Sequence, residues 1–269
     1  MPARLSVIVI TKNEAQRLPT CLASVAFADE LIVVDSGSTD GTQALARSLG
    51  ARVIETADWP GFGPQKQRAL NAASGDWVLS IDADEWIDDT LAAAIRQLLA
   101  DDDGRPAALQ VDRLSAFCGQ WMRAGSWYPD RLVRLFRRGQ ARFSDDLVHE
   151  RLVMIGEAAQ TPWPTLPGLL LHNSIASLHD GIDKMNRYTT GRALDLRRNG
   201  RSGGLGAALA HGLWAFVRSY VVRRGFLDGR RGFVLATLDA QSSYTRYLKL
   251  WLDGAPPPHE LPPPGGGRS

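Results

Sequence analysis

Residues 30–42 read Glu-Leu-Ile-Val-Val-Asp-Ser-Gly-Ser-Thr-Asp-Gly-Thr, and this stretch decides the fold class. Residues 31–34 form a short, continuous apolar run of the kind that is buried on both faces of a parallel sheet. The polar residues that follow end the strand, and Asp40 is placed to cap a helix that continues to Leu49 and stops at Gly50. A buried strand that passes through a short loop into a helix predicts one repeat of a β-α-β pattern.

The same pattern continues on both sides of this stretch. Short apolar strands alternate with helices four times, which predicts a mostly parallel sheet with helices on both faces. Right-handed crossovers bring the carboxyl ends of such strands to one edge of the sheet, and ligands bind outside that edge. The predicted strands are 5–10, 31–34, 52–55 and 77–81, and the predicted helices are 14–26, 40–49, 65–73 and 88–100.

The second half of the chain has a different pattern. Residues 107–112 and 132–136 are predicted to be two strands, separated by a loop rich in Trp, Gly and Tyr. Three further helices are predicted at 181–199, 205–224 and 230–252. The last residues, 254–269, are rich in Pro and Gly, and we expect them to be disordered. A chain of 269 residues with this pattern predicts one large α/β domain with a helical extension.

Composition excludes several classes of protein. The formal net charge is only +2, and the C-terminal arginines are interleaved with apolar residues, so no nucleic acid partner is expected. Cys21 and Cys118 lack the spacing of a metal site or a disulfide framework, and neither a Gly-x-Gly-x-x-Gly dinucleotide loop nor a P-loop occurs. The N-terminus lacks the apolar segment of a signal peptide, and no run of about 18 uninterrupted apolar residues occurs. We therefore expect a cytoplasmic protein without a transmembrane helix.

Acidic and polar residues collect where the predicted strands end. Asn13 and Glu14 follow the first strand, Asp35 follows the second, and Asp82 and Asp84 follow the fourth. Asp82 and Asp84 are two residues apart, so on an extended chain their side chains point to the same side. Such a pair of oxygen ligands suits Mg²⁺ or Mn²⁺, which would neutralise charge on a departing nucleoside diphosphate. The alternative is that Asp84 starts the helix that follows.

Three motifs together resemble one known family. They are Ser-Val-Ile-Val-Ile-Thr-Lys-Asn-Glu at 6–14, the stretch 30–42 quoted above, and Gly-Asp-Trp-Val-Leu-Ser-Ile-Asp-Ala-Asp-Glu at 75–85. In this order, and each on its expected strand, they closely resemble the family 2 glycosyltransferases. The resemblance implies a GT-A fold, which is a Rossmann-like, mostly parallel sheet flanked by helices. It also implies a nucleotide-diphospho-sugar donor, a divalent metal and inversion at the anomeric carbon.

The resemblance assigns roles in the nucleoside pocket of this donor site. Thr11 and Glu14 would line the pocket, and Asn13 would also bind the donor. Asp35 would accept a hydrogen bond from the base.

The resemblance also assigns roles at the diphosphate. Asp82 would lie near the ribose and the metal, and Asp84 would ligate the metal. Lys66 and Arg68 lie in the segment that usually faces the donor, so one of them is expected at the diphosphate; a solvated helix face is the alternative for both. His172 follows an apolar run and is a further candidate metal ligand, with a core or loop histidine as the alternative.

An inverting transfer also needs a carboxylate that takes the proton of the acceptor hydroxyl as its oxygen attacks. The segment 143–151, Phe-Ser-Asp-Asp-Leu-Val-His-Glu-Arg, has three candidates. In the branch of the family that this chain resembles, a Val-His-Glu stands where other members carry an acidic base motif. We therefore favour Glu150 as the base, with Asp146 second and Asp145 third. A salt bridge from Glu150 to Arg151 is the alternative.

The basic C-terminal region is typical of a protein that touches a membrane surface. Residues 205–224 are strongly apolar and end in arginines, which suits an interfacial helix with Trp214, Phe216 and Tyr220 at the lipid headgroups. A helical subdomain packed on the catalytic core is the alternative. The run Gly-Phe-Leu-Asp-Gly-Arg-Arg-Gly at 225–232 resembles the lipopolysaccharide-core β-1,4-glucosyltransferase branch, whose members act on lipid-anchored sugar acceptors in the bacterial cytoplasm.

These expectations define a hypothesis for the whole chain. Residues 1–180 would form the GT-A catalytic domain, with a donor half at 1–103 and an acceptor half at 104–180, and residues 181–253 would form the helical, basic extension. The enzyme would move glucose, as the first choice of sugar, from a UDP-sugar to a hydroxyl of a lipopolysaccharide-core or similar glycolipid. It would work at the inner face of the bacterial inner membrane. The alternatives are a polyprenyl-phosphate glycosyltransferase and a non-catalytic nucleotide-sugar-binding protein.

Overall fold

The structure, a computed structural model, describes the chain in four stretches that divide into two units. The first unit consists of the residues up to 123 together with 127–174, and the second consists of 124–126 and the residues from 175 onward. Each unit has a hydrophobic core of its own. The described stretches are residues 2–101, 106–144, 151–156 and 163–253.

Strands and helices alternate through the first hundred residues, as the sequence predicts. The predicted helix at 14–26 is shorter in the structure and begins at Leu18, because Pro19 lacks a backbone N–H and is accommodated in the first turn of a helix. The strands are β1 (Leu5–Thr11), β2 (Glu30–Asp35), β3 (Arg52–Glu55), β4 (Trp77–Ser80) and a short β5 (Glu85–Ile87) that the sequence did not predict. The helices are α1 (Leu18–Ser24), α2 (Thr42–Ser48), α3 (Phe62–Ala72) and α4 (Asp89–Ala100).

One nine-stranded sheet runs through the first unit, in the order β3-β2-β1-β4-β8-β6-β11-β5 with β7 paired to β6. The four strands from β3 to β4 are parallel, and the pairs β4–β8, β8–β6 and β11–β5 are antiparallel. The predicted class, a mostly parallel α/β sheet followed by a different second half, is confirmed. The remaining strands are β6 (Ala108–Phe117), β7 (Gln120–Trp121), β8 (Arg131–Arg137), β9 (Ala141–Phe143), β10 (Leu152–Met154) and β11 (Thr165–Ile175).

The core of the first unit lies on both faces of the sheet because the side chains of β1 alternate. Val7 and Val9 pack in one cluster with α1 and α4, whereas Ile8 and Ile10 pack in a second cluster with α3. Each buried side chain of this size contributes about 1.5–3 kcal/mol. The two layers hold the parallel strands in register, so that β1, β2 and β4 end at the same edge of the sheet.

Three long helices form the second unit: α5 (Leu178–Arg198), α6 (Leu205–Phe216) and α7 (Gly229–Leu252). The chain does not continue as one α-helix to residue 224 as predicted, since a π-helical turn at Val217–Val222 follows α6. A Cβ at Gly232 would collide with the carbonyl oxygen of Gly225, so the turn after α6 packs tightly against the start of α7.

Residues 124–126 of the loop between β7 and β8 belong to this helical unit. The N–H of Ala124 donates to Oδ2 of Asp228 at 2.9 Å, and the hydroxyl of Ser126 donates to Asp239. Burial raises the pKa of Asp239, and the hydrogen bonds from Ser126 and Ser219 oppose that rise. Residues 124–126, which we predicted to belong to the acceptor half, are therefore bonded to the helical unit.

The helical unit exposes large apolar side chains. Trp214 is 57% exposed and Leu213 is 68% exposed, whereas Phe216 and Tyr220 stack on each other and are only half-buried. Within the described residues one helix, Leu205–Val222, has the length and composition of a membrane span, with a mean hydropathy of 1.2. A single helix of this kind is weak support for a span.

Candidate active site

The loops after β1 and β2 are joined side by side at the carboxyl edge of the sheet. The N–H of Asn13 donates to the hydroxyl of Ser38 at 2.8 Å, and Oδ1 of Asn13 accepts from the N–H of Thr39 at 2.8 Å. The N–H of Glu14 donates to the hydroxyl of Thr42 at 2.9 Å. Asn13 has a left-handed φ of 59°, which Asn adopts more readily than most residues. These bonds fix the backbone of the predicted nucleoside pocket.

Asp35, at the end of β2, is fully buried and bonded within the protein. Its carboxylate accepts hydrogen bonds from the hydroxyl of Thr11 at 2.8 Å, the N–H of Ser38 at 2.8 Å and the side-chain amide of Gln43 at 2.6 Å. Burial raises the pKa of Asp35, but these hydrogen bonds outweigh burial and lower the pKa below its usual value. A nucleobase would have to replace one of these donors, so the role of Asp35 at the base stays a prediction.

Asp82 and Asp84 lie in a tight turn. The N–H of Glu85 donates to the carbonyl oxygen of Asp82 at 2.9 Å, which closes a β-turn. We predicted that the side chains of Asp82 and Asp84 point to the same side because the backbone is extended there. The backbone turns instead, so the reason for that prediction was wrong. The alternative, that Asp84 starts a helix, is also wrong, because Glu85 begins β5. The cap of α4 is instead Asp88, whose Oδ1 accepts from the N–H of Leu91.

Asp82 lies between two cations of the protein. Nζ of Lys66 is 2.8 Å from Oδ1 of Asp82, and Nη2 of Arg134 is 3.0 Å from Oδ2. Burial raises the pKa of Asp82, but the charges of Lys66 and Arg134 outweigh it and hold the pKa well below the usual range. Arg134 and Arg113 also pair with the fully buried Glu85, at 2.9 and 3.1 Å. Asp82 is thus ionised, and Lys66 and Arg134 balance its negative charge.

Asp84 has a different neighbour. Its Oδ2 lies 3.4 Å from Nε2 of His172, and Nδ1 of the same ring lies 3.0 Å from the hydroxyl oxygen of Ser115. The antiparallel pairing of β11 with β5 places His172 opposite Glu85, one residue beyond Asp84. An imidazole whose Nδ1–H donates to a hydroxyl presents the lone pair of Nε2, which is the usual arrangement of a metal-binding histidine.

The acidic side chains at this edge raise the pKa values of neighbouring groups. Burial raises the pKa of Glu14, and the charge of Asp84 contributes to that rise. The thiol of Cys21 lies 3.6 Å from the carbonyl oxygen of Asp82. Burial, followed by the charges of Glu85 and Asp82, raises the pKa of Cys21 well above its usual value. Cys21 is therefore a neutral, unreactive thiol.

Carboxylate oxygen is a preferred ligand of Mn²⁺, and a neutral imidazole is the commonest metal ligand among side chains. The described residues contain no group of three or more His, Cys, Asp or Glu side chains arranged to hold a metal ion. A metal at Asp84 and His172 would therefore need further ligands from the substrate, from water or from the undescribed segments.

One predicted donor-binding residue, Arg68, is not brought to this edge. Arg68 pairs with Asp58 at 2.7 Å on the surface, where both side chains are exposed, whereas Lys66 lies at Asp82. The base candidates Glu150, Asp146 and Asp145 lie outside the described residues.

Sequence reasoning missed Arg134 and Ser115 as members of this site. Arg134 lies in the middle of β8, between the apolar residues Val133 and Leu135, and a basic residue that is buried there needs an acidic partner. That signal could have predicted an ion pair, although not with which carboxylate.

Comparisons with known proteins agree with this architecture. Residues 6–150 match the sequence profile of Glycosyl transferase family 2. The chain is 32% identical over 260 residues to the lipopolysaccharide core biosynthesis glycosyltransferase LpsC of Rhizobium meliloti, which covers 90% of this chain and 93% of that protein. It is 31% identical over 259 residues to an uncharacterized glycosyltransferase of Rickettsia typhi. That alignment covers 92% of this chain and 86% of that protein.

A solved structure is similar over nearly the whole chain. The mannosyltransferase PcManGT from Pyrobaculum calidifontis, solved with GDP-Man and Mn²⁺, has a TM-score of 0.56 at 17% identity and covers 95% of this chain and 89% of its own. That likeness shows the fold alone. With the profile match and the relatives, the chain belongs to glycosyl transferase family 2 and is a glycosyltransferase with a GT-A-like fold. The predicted family and fold are confirmed.

Proposed function

We propose that this glycosyltransferase moves glucose, with inversion, from UDP-glucose to a hydroxyl of a lipopolysaccharide-core or similar glycolipid. The observation that carries the proposal is the pair formed by Asp84 and His172 beside the cluster of Lys66, Asp82 and Arg134 at the carboxyl edge of the sheet. The acceptor class is supported by the similarity to LpsC along almost the full length of both chains.

The nucleoside would bind over the joined loops after β1 and β2. Thr11, Asn13 and Glu14 line that edge, and their backbone is held by hydrogen bonds that need no ligand to form. A preformed backbone lowers the entropy that binding has to overcome. The carboxylate of Asp35 would accept a hydrogen bond from the nucleobase.

The family implies a divalent metal, Mg²⁺ or Mn²⁺. Asp84 and His172 would hold it, because one presents a carboxylate oxygen and the other presents Nε2. Such a metal supplies positive charge that neutralises the departing nucleoside diphosphate. Asp82 would lie close by, and Lys66 and Arg134 would add their positive charge to the same phosphate groups.

The transfer itself would need one carboxylate base. Glu150, with Asp146 as the second candidate, would take the proton of the acceptor hydroxyl while that oxygen forms its bond to C1 and the bond from C1 to UDP breaks. The attack from the face opposite to UDP produces the inversion. These assignments rest on the family resemblance.

The helical unit would keep the enzyme at a membrane surface on the cytoplasmic side, where a lipid-linked acceptor is found. Exposed Leu213, Trp214 and Leu227 supply apolar contacts, and Arg223 and Arg224 lie between them in the chain. Apolar side chains with neighbouring arginines suit the boundary between anionic headgroups and acyl chains.

Transfer assays on two acceptors test the function. Purified protein would be incubated with Mn²⁺, UDP-glucose labelled at C1, and either a truncated lipopolysaccharide core or polyprenyl phosphate. We expect label on the core, with the β configuration by NMR, and loss of transfer in Asp84→Asn but not in the matched Asp89→Asn, since Asp89 is exposed. Label on polyprenyl phosphate alone, or full transfer by Asp84→Asn, would contradict the proposal.

A further inference from the structure

An arginine lies on the packed face of α7 in the second unit. Arg246 follows the buried Ser243 by three residues and precedes the buried Leu250 by four, and residues at these spacings share one face of a helix. The side chain of Arg246 is half-buried. Removing a charge from water is costly unless an opposite charge or hydrogen bonds replace the water. An arginine at this position therefore needs a countercharge.

The protein itself supplies few partners for this arginine. Among the described residues, one of its five N–H groups is bonded, since Nη2 donates to the hydroxyl oxygen of Ser243 at 3.2 Å. Nε is shielded from solvent and has no hydrogen-bond partner in the described part of the chain. The guanidinium carbon lies 5.3 Å from the ring centroid of Tyr247, and this cation–π contact does not replace a hydrogen bond. Most of the donor capacity of Arg246 is thus unused.

A second arginine, on α5, adds positive charge beside the first. Burial lowers the pKa of Arg246, Tyr247 opposes this effect, and the charge of Arg192 lowers the pKa further. Arg192 is exposed, and no described aspartate or glutamate pairs with either arginine. Lys249, one turn after Arg246, bonds to neutral oxygen atoms of α5, so its charge is not balanced there either. The facing sides of α5 and α7 therefore carry positive charge without a described countercharge.

Two guanidinium groups suit a phosphate monoester. Guanidinium forms paired, charge-assisted hydrogen bonds to phosphate oxygens, and a phosphate monoester carries a charge of about −1.5 to −2 at pH 7. That charge matches two arginines, whereas a carboxylate matches only one. Because the charge of a guanidinium is delocalised, an anion at its terminal nitrogens also compensates for the shielded Nε.

We infer that α5 and α7 form a phosphate-binding site in which Arg192 and Arg246 bond to a phosphate monoester. The phosphate belongs either to a lipid headgroup or to a soluble phosphate ester, which share this chemistry. Neither arginine has a role in the proposed transfer, so the inference does not depend on it.

Equilibrium dialysis of the full chain against labelled inorganic phosphate tests the site. Ionic strength is held constant, and a chelator removes divalent metals. We expect saturable binding to the native protein and a loss of about tenfold in affinity in Arg192→Gln. Arg198→Gln is the matched control, because it removes the same charge from another exposed position of α5 and should bind phosphate as the native protein does. No saturable binding to the native protein, or equal affinity in Arg192→Gln, would overturn the site.

Arg246→Met tests the half-buried arginine. The substitution removes an unbalanced charge and keeps an apolar side chain, so without phosphate the variant should melt no lower than the native protein. It should also lose about tenfold in phosphate affinity. A lower melting temperature together with the native phosphate affinity would give Arg246 a structural role and overturn the site.

Flotation with two kinds of vesicle then identifies the source of the phosphate. Phosphatidylcholine vesicles would contain either phosphatidic acid, which has a phosphate monoester, or phosphatidylglycerol, which has a diester, at equal surface charge. A preference of the native protein for phosphatidic acid that Arg192→Gln loses assigns the site to a lipid headgroup. Equal flotation of both proteins with both vesicles, together with weaker phosphate binding in Arg192→Gln, assigns it to a soluble phosphate ester. Either result supports the site.

Discussion

Nζ of Lys66, on α3, lies 2.8 Å from Oδ1 of Asp82, just after β4. This contact separates the roles of two aspartates that look equivalent in the sequence. Asp82 is compensated by Lys66 and Arg134, whereas Asp84 faces His172. The first aspartate therefore pairs with the basic side chains of the edge, and the second faces a histidine, as the proposed metal site requires.

Asp82→Asn should destabilise the fold. The substitution leaves the almost fully buried side chains of Lys66 and Arg134 without their shared countercharge, which costs about 3–5 kcal/mol when one partner of a buried pair is removed. Asp58→Asn is the matched control, because its pair with Arg68 is exposed and screened by water, so the stability should stay close to that of the native protein. Urea unfolding measures both, and equal losses would contradict the account.

Asp35→Asn should change how stability depends on pH. The folded pKa of Asp35 lies below the unfolded value of about 3.9, so its ionised form stabilises the fold above that pH and loses this effect as the pH falls toward the folded pKa. The difference in free energy of unfolding between native protein and variant, about 1–3 kcal/mol at pH 7, should shrink below pH 4. Urea titrations from pH 3 to pH 7 measure it, and a constant difference would refute the assignment.

His172→Ala should weaken metal binding. Loss of a ligand or of its orienting partner typically costs about 10–100-fold in metal affinity. Electron paramagnetic resonance of free Mn²⁺ gives the affinity directly, with His179→Ala as the control because that histidine is exposed and pairs with Asp183. Ser115→Ala should give a smaller loss, since it removes only the hydrogen bond to Nδ1. An unchanged affinity in His172→Ala would leave the histidine with a structural role.

The double variant Leu213→Ser, Trp214→Ser should bind less to anionic vesicles. Flotation with vesicles of phosphatidylcholine and phosphatidylglycerol would show native protein in the lipid fraction, less at high salt, and the variant mainly in the soluble fraction. Leu178→Ser, Ile182→Ser removes equally apolar, exposed side chains next to Asp180 and should behave like the native protein. The same loss in both variants would indicate non-specific adsorption.

The first half of the fold could be predicted because its signals are local. The parallel strands β1, β2 and β4 are largely apolar runs, and β1, β2 and β3 are each followed by a loop and a helix. The strands β5 and β11 were missed since they depend on each other: Leu171 pairs with Trp86 across 85 residues of chain. A three-residue strand such as β5 has no period that could reveal it.

In the site, too, features that depend on local sequence could be predicted, whereas contacts between distant residues could not. The position of Asp84 follows from the strand before it, so it could be predicted, and so could the candidacy of His172. The partnership of Arg134 with Asp82, and of Ser115 with His172, could not, because each joins residues more than 50 positions apart. Similarly, only the structure separates Lys66 from Arg68, which lie two residues apart on α3 and pair with different aspartates.

The central claim is that Asp84 holds the metal on which donor binding depends, and calorimetry with a donor panel tests it most directly. Native protein, Asp84→Asn and Asp89→Asn would be titrated with UDP-glucose, UDP-galactose, UDP-N-acetylglucosamine, GDP-mannose and ADP-heptose, with Mn²⁺ and with a chelator. The account predicts preference for UDP-glucose, dependence on Mn²⁺, and loss of at least about tenfold in affinity in Asp84→Asn alone. Equal binding with the chelator and in Asp84→Asn, or no binding of any donor, would contradict it.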